Sequence, residues 1–249
     1  MSFITDPYFY LIAIPAVLLY GMAKGGLGPG IGALVVPSLA LVISPVQAAA
    51  IMLPILCVMD IFAVHRFRGQ YDRKQLNILV PSAIVGIIIA SLFMGHMSAD
   101  SIRLLIGIIS LAFCLNHWFG RRASKHKKGG PISGYFWGIL SGFTSTQIHA
   151  GGPPLSIYLL PQNLDKVTLI GTMAVFFTIV NYLKLIPYTL LGLFDPANLM
   201  TSIILMPLAP VGVKMGYVVL QKVSQTTIYR FLYVVLFLSG IKLCIDGLL

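Results

Sequence analysis

Between residues 8 and 245 the chain is a near-continuous succession of apolar runs separated by short Gly, Pro or polar breaks, a pattern that leaves few folds open. The runs fall at about 8–22, 31–43, 48–64, 78–93, 102–118, 132–143, 153–160, 167–191, 199–220 and 228–245. A crossing of bilayer hydrocarbon takes about 20 helical residues, so 8–22, 31–43, 132–143 and 153–160 are too short to cross alone. Only 10% of the 249 residues are charged, against roughly a quarter in an ordinary soluble domain. The chain is therefore expected to be an all-α polytopic membrane protein with about eight to ten crossings and no separate soluble domain.

The formal charge of +10 does not indicate a nucleic-acid surface. Arg66, Arg68, Arg73 and Lys74 share one loop, and Arg121, Arg122, Lys125, Lys127 and Lys128 another, both beside hydrophobic segments where topogenic positive charge belongs. Cys57, Cys114 and Cys244 are far apart and each sits in an apolar run, so neither a disulfide framework nor a metal cluster is expected. The opening MSFITDPYFYLIAIPAVLLYG has no basic leader and reads as the first membrane segment.

The chain also repeats itself. With an offset of about 117, Gly21, Gly25 and Pro37 fall on Gly138, Gly142 and Pro154; later Pro81 and Gly86 match Pro207 and Gly212, and Asp72 falls near Asp195. The loop HRFRGQYDRK is basic, whereas its counterpart GLFDPAN carries only Asp195, so the two are expected on opposite sides of the membrane. The expectation is two inverted-topology repeats, 1–122 and 131–249, joined by a basic cytoplasmic linker at 123–130. Each repeat has a broken, short-helix hairpin followed by three full transmembrane helices. Both termini then lie outside the cytoplasmic (inner) membrane.

The short runs form two pairs at matching positions, KGGLGPGIGALVVPSLAL (24–41) and GFTSTQIHAGGPPLSIYLL (142–160). Irregular backbone at membrane depth survives only where it lines a cavity or is buried in protein, so paired interrupted segments point to a transporter's binding site. Gly25, Gly26, Gly28, Gly30 and Gly32 in the first hairpin, and Gly151 and Gly152 in the second, let backbone approach a ligand or let helices pack closely; the sequence leaves both open. Pro153 suits the first turn of a half-helix whose amino end attracts an anion. Ser145, Thr146, Gln147 and His149 supply polar donors, though His149 reads equally as a packing residue. Lys24, at the first hairpin's turn, either meets a substrate anion or snorkels to an interface. Asp60, with Asn181 roughly opposite it in the repeat, and Lys184 are candidates for coupling or gating; Asp60 either pairs with a cation or titrates a proton. Ser145 and His149 lack the orienting acid of a hydrolase, so no enzyme, cofactor or metal is expected.

At GGLGPGIGALVVP and HAGGPPLSIYLL the sequence resembles the TauE/SafE family of sulfite exporters, also called the toluene sulfonate uptake permease family, and the repeat plan agrees over nearly the whole chain. The resemblance implies a secondary transporter that moves sulfite, an organosulfonate or a related sulfur-containing anion by alternating access, with a possible coupling proton. Its partners would be that small anion and the bilayer, with no nucleic acid, and the oligomeric state stays open. An anion channel or a carboxylate carrier would use the same positive interior. The orientation is directly testable. On a background without native cysteines, Gln70→Cys should react with an impermeant thiol reagent only from the cytoplasmic side and Leu193→Cys only from outside; labelling of both from one side contradicts the inversion.

Overall fold

A computed structural model describes residues 3–28, 35–36, 39, 42–93, 98–119 and 129–248. Among these residues the fold is all helical, without a strand. The helices are α1 (Pro7–Met22), α2 (Pro45–Arg66), α3 (Arg73–Leu92), α4 (Ala99–Phe119), α5 (Pro131–Ile148), α6 (Gly152–Leu159), α7 (Lys166–Leu190), α8 (Pro196–Leu205), α9 (Leu208–Lys222) and α10 (Gln225–Leu248). A π-helical segment, Ala23–Leu27, continues α1 to Gly28. The Arg and Lys residues at 121–128, and Gly30, Gly32 and Pro37, lie outside the described residues.

The scarce aspartates mark helix starts. Asp6, Asp72, Asp165 and Asp195 each accept a backbone N–H at the first turn of α1, α3, α7 and α8, and Ser44 does so for α2. Asp72 and Asp195, matched in the sequence, thus fill the same cap position, with their first-turn donors Gln75 and Asn198 at 3.1 and 2.7 Å.

Two of the short apolar runs are longer as helices than their hydropathy. Run 8–22 extends through the π segment, so that Pro7–Leu27 is long and apolar enough to cross. Run 132–143 extends to Ile148 because Thr144 and Thr146 donate their hydroxyls to Leu140 O and Gly142 O one turn back, which hides polar groups in a helix. Run 199–220 instead breaks: α8 and α9 meet at a 44° bend at Met206–Pro207. Pro207 and Pro210 together remove two N–H donors there, whereas the single Pro81 stays inside an unbroken α3. Four helical segments, Pro7–Leu27, Val46–Arg66, Arg73–Leu92 and Lys166–Leu190, meet the length and apolarity of a span, or five with the bent pair counted as one. Large apolar side chains such as Leu11, Ile88, Ile186, Leu190 and Ile203 stand exposed on the outside of the bundle. Lipid, not water, suits that belt.

Helix pairing follows lines of small residues. α1 packs on α9, α5 on α3, α2 on α7 and α4 on α10, so each of these contacts joins an element before residue 122 to one after 131. A Cβ built on Gly21 would lie 2.8 Å from the Gly212 Cα, and one on Gly26 2.6 Å from the Gly216 carbonyl oxygen. Likewise a Cβ on Gly142 would sit 2.8 Å from the Ala83 Cα of α3. In lipid, where water drives no collapse between helices, such backbone proximity is a main source of association. At the centre lie α2, α7 and α6, all eight of whose residues are buried.

Filling one of these contacts should therefore be costly. Gly216→Leu is expected to lower stability in detergent by about 1–3 kcal/mol through overpacking. Gly130→Ser, at the open amino end of α5 where nothing lies within 4 Å, should leave it nearly unchanged. Thermal unfolding of the two purified variants checks both.

Candidate functional site

Three of the charged candidates meet in the interior. Lys24, on the π segment, forms an ion pair with Asp60 Oδ1 of α2, and Asn181 Nδ2 of α7 donates to Asp60 Oδ2 at 2.7 Å. Both oxygens of a carboxylate that is 0% exposed are thus engaged. The π turn carries one residue more than an α turn, and it is within this turn that Lys24 meets α2. Its ammonium also stands 6.0 Å from the centre of the Phe177 ring on α7. The Lys24 side chain is 8% exposed and is spent on Asp60.

A second cluster adjoins the first along α7. Lys184, also fully buried, lies within 3.0 Å of both Ser145 O and Ser145 Oγ and 2.9 Å from His149 Nδ1. His149 Nε2 is 3.0 Å from Ala49 O, a carbonyl that can only accept; Nε2 therefore carries the ring proton and Nδ1 accepts from Lys184. His149 ends α5 in the left-handed conformation (φ 54°) and opens the turn to α6. Tyr188, one turn beyond Lys184, donates to Thr146 O at 2.9 Å. Asn181, Lys184 and Tyr188, at helical spacing, make one polar stripe on α7.

The two chain breaks share a small cavity. Lys24 and Gly28 from the first break and Gly152 from the amino end of α6 line it, with Tyr20, Met173 and Phe177 around them. At ≈ 20 Å³ for the centre of a water-sized sphere, it has room for about one water. Gly28 is at φ 85°, a conformation that favours glycine. Pro153 and Pro154 fill the second and third positions of α6, and Leu155 N bonds back to Gly151 O at 3.3 Å. The helix end therefore offers one N–H in its first turn, that of Gly152, rather than the row of donors expected of a helix start. Its dipole still favours negative charge.

The sequence candidates divide accordingly. Lys24, Gly28 and Gly152 reach the cavity, while Asp60, Asn181, Lys184, Ser145 and His149 form the hydrogen-bonded network beside it. Gly25 and Gly26 press against the α9 backbone, so close packing is what describes them. Gly151 packs on α5, where Ser141 donates to its carbonyl at 2.7 Å. Thr146 spends its hydroxyl on its own helix, and Gln147 points across to Ala90 O on α3 at 3.4 Å. Tyr20, Phe177 and Tyr188 belong to the region and carried no sequence signal beyond sitting in apolar runs. The Ala49 carbonyl could not have been found from residue type at all.

An all-helical bundle with a lipid-suited exterior, membrane-length helices and a buried cationic site is a multi-pass membrane protein of the transporter kind. The family model described as sulfite exporter TauE/SafE matches residues 13–243, and the chain belongs to that family. Neither the curated proteins nor the solved structures contain a match to it.

Breaking the Lys24–Asp60 pair from one side leaves a buried charge alone. Lys24→Met or Asp60→Asn singly should destabilise the protein by about 3–5 kcal/mol, and the double variant should recover much of the loss. Thermal unfolding in one detergent compares the three; equal, additive losses would contradict the pairing.

Proposed function

We propose that this protein is a secondary transporter carrying sulfite or a small organosulfonate across the cytoplasmic membrane by alternating access. Family membership supplies the class of cargo, a small sulfur-containing anion. The observation that carries the location of the site is the shared cavity: Lys24, Gly28 and Gly152, drawn from the breaks of opposite halves, face one space in the interior. A cation, a bare glycine backbone and the amino end of a half-helix are what an oxyanion needs. Ser145, His149 and Lys184 stand beside it, bonded to one another.

The helix pairing supports two inverted repeats, 1–122 and 131–249. Exchanging matched elements of the halves turns the α1–α9 contact into the α5–α3 contact and leaves α2–α7 and α4–α10 as pairs of counterparts. That is the behaviour of a pseudo-twofold axis. In this reading a cavity with room for about one water favours a carrier over an open pore, and rocking of the halves exposes the site to each side in turn. The repeat boundaries, the linker at 123–130 and the external termini remain part of the proposal.

Radiolabelled sulfite counterflow in proteoliposomes tests it. The wild type should show saturable exchange, accelerated by sulfite on the far side, with thiosulfate, sulfoacetate or taurine competing in the order of their fit. Lys24→Ala should slow exchange by about 10–100-fold, the equivalent of one lost charged hydrogen bond. Flux that does not saturate would mean a channel, and better competition by simple carboxylates would mean a different cargo.

A further inference from the structure

The hydrogen bonds around Lys184 have a property that those around Asp60 lack. Nζ has three neighbours: Ser145 O, Ser145 Oγ and His149 Nδ1. The first can only accept, and the ring nitrogen accepts because Nε2 holds its proton against Ala49 O. The hydroxyl can do either. A charged Lys184 donates three N–H bonds, one to each neighbour. A neutral Lys184 donates two, to Ser145 O and His149 Nδ1, and takes the Ser145 O–H into its lone pair. In both protonation states the amine itself is fully bonded at the same heavy-atom positions, and one hydroxyl hydrogen, paired in the neutral form and turned away in the charged one, moves between them. A fully buried amine seldom has such a set, since either form ordinarily leaves one group unpaired.

Hydrogen bonding decides which group in the region exchanges a proton. The titratable and charged groups facing Lys184 are Lys24 on the π segment, Asp60 and Cys57 on α2, His149 at the end of α5 and Tyr188 on its own helix. With Lys24 paired to Asp60 and His149 neutral, a neutral Lys184 leaves the cluster at zero net charge and a protonated one at +1. One proton on either Asp60 or Lys184 brings the cluster to +1, but both Asp60 oxygens already accept, from Lys24 and from Asn181, so a proton there breaks one of those bonds. Nζ of a neutral Lys184 takes it on a lone pair that only a hydroxyl hydrogen occupies.

We propose that the Lys184–His149 pair, with the Ser145 hydroxyl as its rotor, carries the proton that moves with the anion, and that Asp60 serves to hold Lys24 rather than to titrate. The proposal rests on the transport reading above. One proton enters from the open side onto the Nζ lone pair; the Ser145 hydroxyl turns from donor to acceptor; the cluster becomes +1 and takes a single negative charge into the cavity by Lys24. On the opposite side the proton leaves Nζ, the hydroxyl turns back, and the anion loses its counter-charge. Each cycle carries one proton and one unit of negative charge in the same direction, so transport of a monoanion is electroneutral.

Proteoliposomes holding the full chain, with the membrane potential clamped at zero by potassium and valinomycin, separate the possibilities when given labelled sulfite with and without a pH difference. A one-unit difference should drive wild-type accumulation of about tenfold above the level without it. Lys184→Gln should keep sulfite counterflow and lose that accumulation. Ser145→Ala should lose it as well, and Ser145→Thr, which retains the hydroxyl, should keep it. Sulfite's own protonation is common to all four proteins, so differences between them report the chain. Should Lys184→Gln fail to fold, the contrast between the two Ser145 variants decides. Wild-type accumulation preserved in Lys184→Gln, or lost equally in Ser145→Thr and Ser145→Ala, overturns the proton carrier and leaves the transport reading standing. Wild-type counterflow without any response to the pH difference does the same. Absence of sulfite counterflow in the wild type overturns the transport reading and the proton carrier together.

Discussion

The fold depends on one ionic contact, the pair that Lys24 makes with Asp60 under the Asn181 amide. Each charge alone would be prohibitively expensive so far from water, and together they become tolerable because both carboxylate oxygens are occupied. The pair ties the π segment of the first helix to α2, and the amide ties α2 to α7. Three elements that otherwise meet mainly through apolar side chains are thereby held in register. The cavity by Lys24 exists where it does because this register holds the two chain breaks opposite each other.

Around that contact the bundle is assembled from close backbone approaches. Gly21, Gly26, Gly212 and Gly216 bring α1 and its π continuation against α9, and Gly134, Gly138 and Gly142 bring α5 against α3. Among the described residues the largest helix contacts join the first part of the chain to the second, and the core runs through both.

The site's polarity is economical. α6 presents a dipole and a single first-turn N–H, because prolines occupy its next two positions. Few fixed donors leave Lys24 and the helix dipole as the main sources of positive potential at the cavity. Beside it, Lys184 spends its bonds on Ser145 and His149.

The sequence was sufficient for the membrane class and for naming Lys24, Asp60, Asn181 and Lys184 as interior polar candidates, because both follow from local composition and from the cost of charge in lipid. It could not tell a glycine that lines a cavity from one that meets a helix: Gly28 and Gly26 are two residues apart and do opposite things, since the difference lies in what the other half of the chain places against them. It could not show that Pro207, unlike Pro81, would break its helix. Nor could it give Lys184 its partners, one of which is a ring nitrogen whose role depends on Ala49 O in a distant helix. Periodicity and composition are properties of short stretches. The pairing of charges, and the choice between packing and binding, belong to contacts between separate helices, and only the tertiary structure decides them.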